Sequence, residues 1–347
     1  MSLRYGANVA SKAKIPFRAI PYQRKDDPTR ALAERYISPI RAALASALKA
    51  LRDAVPVKPI ADKIAARDLT GAADLVNIET FKHDLRVAFA KITETYAASA
   101  STIGAVKKDA TTFSGEQPAP DRFAFDLYTE EVAAELADFQ GALIGNLTDD
   151  MRRRIFDAVA KGVQDNVDPR DIAASIRDQI GLSDRLAKAV VNYRLALETG
   201  DAAALARSLR DVSADGDVSA AIAQGVALDP ERIDALVDAY VDRALDYRAD
   251  MIARTEASRA ANMGLQAGYR QAIADGVFPS VAVKQYWMVA LDEKTCLACI
   301  LVAVAANAGI SLDAPFIAEG EEIDAPPLHP NCRCSLEIRT DLDLVDI

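Results

Sequence analysis

A predominantly helical α+β fold, with long helices followed by a small C-terminal β-containing domain, is what this sequence predicts. Three observations carry that reading. Half of the residues are apolar but only 6 % are aromatic, and much of the apolar share is alanine, the residue with the best helix propensity. Apolar residues recur at three- and four-residue steps along most of the chain, the period of an amphipathic helix. The β-branched and aromatic stretches lie near the C-terminal end, on either side of a cluster that holds all four cysteines.

Residues 1–28 form an extended basic arm. They carry Arg4, Lys12, Lys14, Arg18, Arg24 and Lys25 against only Asp26 and Asp27, with Pro16, Pro21 and Pro28 and no apolar period. Such an arm is either a solvated tail or a segment that docks on an acidic partner. Residues 29–115 make an N-terminal helical region. From Thr29 to Ala54, Leu32, Tyr36, Ile40, Leu44, Leu48 and Leu51 form one stripe. Pro39 inside it predicts a kink, or a restart with Ser38 as cap, and Pro56 and Pro59 stop it. A second run, Ala72 to Thr102, aligns Leu75, Ile78, Leu85, Phe89, Ile92 and Tyr96. His83 in this run stands between Lys82 and Asp84 and reads as an ordinary helical residue, not a ligand.

Ser114-Gly115-Glu116-Gln117-Pro118-Ala119-Pro120 is the best linker in the chain. Beyond it, residues 116–275 read as a helical core. Thr148 is placed to cap a helix lined by Ile155, Val159 and Val163, and Arg152-Arg153-Arg154 is a solvated face. Asp168-Pro169 opens another helix, with Asp168 at the N-cap and Pro169 in the first helical position; Ile172, Ile176 and Ile180 supply its face and Gly181 ends it. Further helical sequence fills about 182–228. Asp229-Pro230 repeats the start signal and opens the longest run, through Tyr240 and Ile252 to about Ala274, with a break expected near Gly264 or Gly268. Within it, Arg254 and Glu256 of Ala253-Arg254-Thr255-Glu256 read first as a structural pair.

Residues 276–340 form the C-terminal metal-binding subdomain. Val281 to Val289 is a strand containing Trp287, the one tryptophan. It leads into Asp292 and Cys296-x-x-Cys299. Then follow Pro326-Pro327-Leu328-His329-Pro330-Asn331-Cys332-Arg333-Cys334 and a second strand, Ser335 to Arg339. Residues 341–347 form an acidic tail.

The chemistry lies in that knuckle. A tetrahedral metal ion takes thiolates and imidazoles in two closely spaced pairs, each delivered by a tight turn. Cys296 and Cys299 are the first pair; His329, Cys332 and Cys334 offer three candidates for the second, and the expected ion is a structural zinc. Which four of the five bind is open, and two disulfides or a redox dithiol are the competing readings. Disulfide frameworks belong to short secreted chains, and a dithiol would leave Cys332, Cys334 and His329 unused. Catalytic zinc keeps an open position, and the His-x-Glu of a zinc deaminase is missing, since Pro330 and Asn331 follow His329. No phosphate-binding loop, nucleophile elbow or His-Glu-x-x-His motif occurs. The chain therefore reads as a non-enzyme. Its net charge of −10 disfavours general nucleic-acid binding. Neither a membrane-spanning apolar run nor a signal core is seen, which predicts a soluble protein of a reducing compartment.

Taken in order, Arg254-Thr255-Glu256, Tyr286-Trp287, Asp292-x-x-Thr295-Cys296-x-x-Cys299 and Pro326-Pro327-x-His329-Pro330-x-Cys332-Arg333-Cys334 resemble the phage Mu F-like head morphogenesis family. The resemblance covers about 150–340, with 182–228 as an insertion relative to that family. It implies a minor head protein of a tailed bacteriophage or prophage, acting in head morphogenesis, DNA packaging or delivery. The implied partners are the portal or major capsid protein, with packaged DNA met by the basic arm, and the implied place is the virion after assembly in the host cytoplasm. A delivered effector joined to a Mu F-like domain, or a zinc-stapled adaptor unrelated to phage, are the other classes the same residues permit.

Overall fold

The computed structural model describes residues 20–23, 26–103, 123–290, 292 and 294–340. Most of the basic arm, the linker at 114–120 and the acidic tail lie outside the described residues. What is described is mainly helical, with a small sheet region near the C-terminus. The helices are α1 (Pro28–Asp53), α2 (Val57–Ala65), α3 (Leu69–Asp74), α4 (Ile78–Ala100), α5 (Glu130–Gln164), α6 (Pro169–Gln179), α7 (Asp184–Glu198), α8 (Asp215–Gln224), α9 (Pro230–Ala274) and α10 (Leu297–Ala305). The strands are β1 (Val283–Met288), β2 (Ile310–Ser311), β3 (Phe316–Ala318), β4 (Glu321–Ile323) and β5 (Ser335–Thr340).

Two compact units share the chain. One comprises Met1–Ile40, Phe89–Ala137 and Met251–Ile347, the other Arg41–Ala88 and Asp138–Asp250. The sequence divides in series at 28, 115 and 275, whereas these units interleave. The reason is that α1, α4, α5 and α9 each carry residues of both.

In the all-helical unit, Leu44, Leu48 and Leu51 of α1 are buried, as are Ile60 and Ile64 of α2, Ile172 and Ile176 of α6, and Leu236, Val237, Val241 and Leu245 of α9. Asp168 caps α6 through the Arg170 N–H at 2.8 Å, with Pro169 in its first turn. Gly181 follows with φ +75°, and a side chain there would crowd Leu48 and Leu245, so glycine is required twice over. Buried Arg52 of α1 grips Asp238 and Asp242 of α9, each at 2.6 Å. Arg152, Arg153 and Arg154 are paired with Asp149, Asp150 and Asp184.

Several expected boundaries move, each for a visible cause. α1 runs through Pro39 without restarting; that proline is exposed, where water can replace the missing donor. The expected helix 72–102 is instead α3 and α4, because Asn77 accepts the Thr80 N–H at 3.0 Å and caps a new start. Thr148 caps nothing. It sits inside α5, its hydroxyl turned back to the Gly145 carbonyl at 3.1 Å, and Thr129 caps that helix through Val132 N–H.

α9 is unbroken over 45 residues. Gly264 and Gly268 do not interrupt it; they let α4 approach, since a Cβ at either would collide with the Tyr96 or Ala100 carbonyl. Ser99 Oγ donates to the Ala261 carbonyl at 2.6 Å along the same seam. Beside α9 lies the sheet, in the order β2-β1-β5. β1 pairs antiparallel with β5 from Val283↔Thr340 to Met288↔Ser335, and with β2 at Lys284↔Ser311 and Gln285↔Ile310. The knuckle thus joins two strands of one sheet. Its spacer, without elements in the sequence reading, holds α10, β2 and a β3–β4 hairpin. That hairpin turns on Glu319 and Gly320, both at positive φ, the geometry of a two-residue hairpin loop.

Candidate metal centre

Each half of the centre is shaped locally. Asp292 Oδ1 accepts the Lys294 N–H at 2.9 Å and the Thr295 hydroxyl at 3.3 Å, turning the chain into Cys296. Cys296 is the N-cap of α10, its Sγ receiving the Cys299 N–H at 3.4 Å. A Cys-x-x-Cys placed across a helix start aims both sulfurs to one side, near the positive end of the helix. In the other half, Asn331 adopts φ +58° and the Cys332 N–H bonds the His329 carbonyl at 3.0 Å. Cys334 then enters β5.

The two halves meet. Cys296 Sγ lies 3.2 Å and Cys299 Sγ 3.5 Å from His329 Nε2, and Cys299 and Cys332 bring their sulfurs to 3.7 Å. Donor atoms of Cys296, Cys299 and His329 all lie within 4.8 Å of one another, as do those of Cys299, Cys332 and Cys334. A Cys/His cluster of this kind can hold a metal ion. All four cysteines are free thiols. Hydrogen bonds from Cys299 and Cys334 pull the Cys332 thiol down to about 2, while donating to Cys332 and Cys334, together with burial, pushes Cys299 up. Burial opposes ionisation of Cys296, yet the Cys299 N–H and His329 bring its thiol below the ordinary value. Thiolate character, which metal binding needs, is therefore favoured at one sulfur of each half.

Asp292 and Arg333 form an ion pair across the knuckle, joining the turn before Cys296 to the residue between Cys332 and Cys334. Trp287 is fully buried in the core under the site, edge-on to Phe316 at 5.3 Å. Arg254 and Glu256 do not pair with each other. Positions two apart face different sides of a helix, and Glu256 binds Arg259 at 3.2 Å. His83 stays exposed on α4 beside Asp84.

The sequence reading missed the residues that hold the second half in place. Thr255, Asn262 and Gln266 are buried polar side chains of α9, and each bonds the backbone of the ligand loop or its flanks. Thr255 Oγ1 accepts the Asn331 N–H at 3.1 Å; Asn262 donates to the Pro326 carbonyl at 3.0 Å and accepts the Leu336 N–H at 2.8 Å; Gln266 donates to the Asp324 carbonyl at 2.8 Å. Gln23, from the end of the arm, donates to the Arg333 carbonyl at 2.6 Å and to Ser335 Oγ at 2.9 Å. A signal was present: polar residues at Thr255, Asn262 and Gln266 interrupt an alanine-rich face at helical spacing.

No family model, curated protein or solved structure matches this chain.

Proposed function

We propose that the chain is a non-enzymatic structural protein whose C-terminal subdomain is stapled by one zinc ion, and that it serves as a minor head protein of a tailed bacteriophage. The observation that carries the zinc reading is the donor spacing. Zinc–sulfur bonds of about 2.3 Å and zinc–nitrogen bonds of about 2.0–2.1 Å give tetrahedral edges near 3.8 Å between sulfurs and 3.6 Å between sulfur and nitrogen. The 3.7 Å Cys299–Cys332 separation and the 3.5 Å Cys299–His329 separation match these edges, and the 3.2 Å Cys296–His329 separation is slightly tighter. Soft thiolates with one imidazole suit zinc over calcium or magnesium, which take oxygen. Bound there, the ion would act as a cross-link holding the α10 turn to the start of β5.

The head-protein reading rests on the Mu F-like resemblance. One contact supports treating its separated segments as a single motif: Thr255 of Arg254-Thr255-Glu256 bonds Asn331 inside the second ligand pair. The Asp292–Arg333 pair ties the two cysteine segments in the same way. Portal or major capsid protein is the proposed partner, with the basic arm as one docking element. Among the described residues no helix is long and apolar enough to cross a membrane.

Two measurements test the reading separately. Elemental analysis of reduced protein should give about one zinc per chain, lost together with the fold of the subdomain on chelation. Co-expression with the portal and major capsid proteins of its host phage should place the chain in purified heads, and Cys296→Ser should deplete it from them. Zinc-loaded protein that never enters heads would leave the staple and remove the head assignment.

A further inference from the structure

A cavity of about 580 Å³ lies between the start of α1, the end of α4, α9 and β5, all within one of the two compact units. None of the five candidate metal ligands lines it. Its volume is that of a ligand pocket, about 300–1,000 Å³. One side is apolar, formed by Leu32, Ile103, Leu265 and Ile338.

Two polar residues of the wall stand out. Thr29 and Tyr269 are only 7 % and 6 % exposed, and neither hydroxyl makes a hydrogen bond among the described residues. Tyr269 stacks its ring on Phe278 at 5.9 Å, a contact that leaves the hydroxyl unused. The other hydroxyls of the wall are satisfied: Ser99 Oγ donates to the Ala261 carbonyl at 2.6 Å, and Thr102 Oγ1 to the Ser99 carbonyl at 2.7 Å. Buried polar groups without a partner are exceptions that need a reason, and two in one cavity point to a ligand.

Charge narrows the chemistry. Asp26, Asp27 and Glu337 line the cavity, and no lysine or arginine does. Asp27 already accepts from Ser335 Oγ and the Arg30 N–H, and Glu337 is paired with Arg339. Asp26 is exposed and has no ion pair among the described residues, so it is the carboxylate left for a cation. We propose that the cavity takes a segment of a partner protein in which an arginine or lysine adjoins a large apolar side chain. The apolar group packs on Leu32, Ile103, Leu265 and Ile338, the cation meets Asp26, and the backbone bonds the hydroxyls of Thr29 and Tyr269. Each backbone residue offers one donor and one acceptor, the complement of hydroxyls that do both. A small amine in its charged form offers donors alone. The assignment stands apart from the metal centre and from the head-protein reading.

The test titrates the full-length protein with N-acetyl-Phe-Arg-amide to about 10 mM, where a ligand of millimolar Kd nears saturation. Methyl resonances of Leu32, Ile103, Leu265 and Ile338 should shift together and saturate, and N-acetyl-Phe-Glu-amide should leave them in place. Asp26→Asn should weaken binding about two- to fivefold, the contribution of an exposed ion pair. Tyr269→Phe should weaken it about fivefold, the contribution of one hydrogen bond, with no change in the urea midpoint, since the hydroxyl has no partner within the protein to lose. No methyl shift with the arginine probe, or equal shifts with the glutamate probe, overturns the proposal. A destabilised Tyr269→Phe protein reveals an internal partner and overturns the argument for a ligand. Phenethylammonium that binds as tightly as the dipeptide gives the cavity to a small amine and overturns the protein-segment assignment. The two dipeptide titrations need no variant.

Discussion

Asn262→Leu removes the hydrogen bonds that this α9 side chain makes, among them both that reach the ligand loop's flanks, while keeping a branched side chain of four heavy atoms. Asn262 is 1 % exposed, donating to the Pro326 carbonyl at 3.0 Å and accepting the Leu336 N–H at 2.8 Å. These two backbone groups bracket the ligand loop. Without asparagine each is buried and unbonded, at about 1–3 kcal/mol apiece, so the metal-loaded fold should lose about 2–6 kcal/mol. The metal-free loop can relax and recover water for those groups, so most of the cost should appear in metal affinity. Outer partners of metal ligands typically contribute about 10–100-fold, and 2–4 kcal/mol corresponds to roughly 30- to 1000-fold. The assay is competition for zinc against a chelator of known affinity, with hydrogen exchange at the Leu336 amide as the local readout. Asn262→Ala should cost more than Asn262→Leu, because it adds a cavity. If Asn262→Leu binds zinc within threefold of wild type and keeps its Leu336 protection, the loop orders itself and α9 is not its template.

Three further outcomes follow from the same geometry. Gly264→Ala should destabilise by about 1–3 kcal/mol in urea unfolding, since the collision with the Tyr96 carbonyl outweighs the gain of up to about 1 kcal/mol in helix propensity. Gly141→Ala on α5, where the added methyl meets open space, should show that gain alone; equal effects at the two positions would refute the close-packing argument. For pH, burial opposes ionisation of Asp292, but Arg333 and the Lys294 N–H hold its carboxyl below the ordinary value. A depressed folded pKa means a stabilisation complete above the unfolded value of about 3.9 and lost as pH falls through the lower folded one. The stability gap between wild type and Asp292→Asn should therefore be constant from pH 7 to 5 and close in stronger acid, and a gap that widened there would reverse the sign of the argument. Finally, chelation should abolish hydrogen-exchange protection at β5 and α10 while sparing α2 and α6, whose cores contain no ligand; uniform loss would mean that the metal stabilises far more than its own subdomain.

Chemistry was easier to read from the sequence than the scaffold that serves it. All five candidate ligands stand together because thiols and imidazoles are rare here and were concentrated in one stretch, so composition alone exposed them. Asp168-Pro169 and Asp229-Pro230 opened helices where expected because capping is a local event decided within one turn. Other misreadings were local, as at Asn77 and Thr148, but those around the site were not. α10 is apolar at every position except Cys299, so it carries no period by which a helix differs from a buried strand. Gly264 and Gly268 looked like breaks because the propensity argument sees only their own helix, whereas their function is set by the carbonyls of α4. Asn262 and Gln266 were passed over for the same reason: a polar residue in an alanine-rich helix gains meaning only from the backbone that reaches it.

The C-terminal subdomain is built from short elements around a Cys/His cluster that can hold a metal ion. Its described strands run from two to six residues and its α-helix α10 has nine, short elements for an independent small domain. β2, β3 and β4 have two or three residues each and cannot fix a register on their own. Two supports are the polar side chains of α9 and the Asp292–Arg333 pair, and an ion in the proposed centre would be a third. They act on the same few residues, 324 to 336, from three directions. An ion bound in the proposed centre would link the start of α10 to the start of β5, whereas the ion pair ends at Asp292 and the α9 bonds reach only the second half. Such a cross-link would add to the packing of Cys299, Ile300 and Val302 of α10 in one cluster with Trp287 and Leu336 of the sheet.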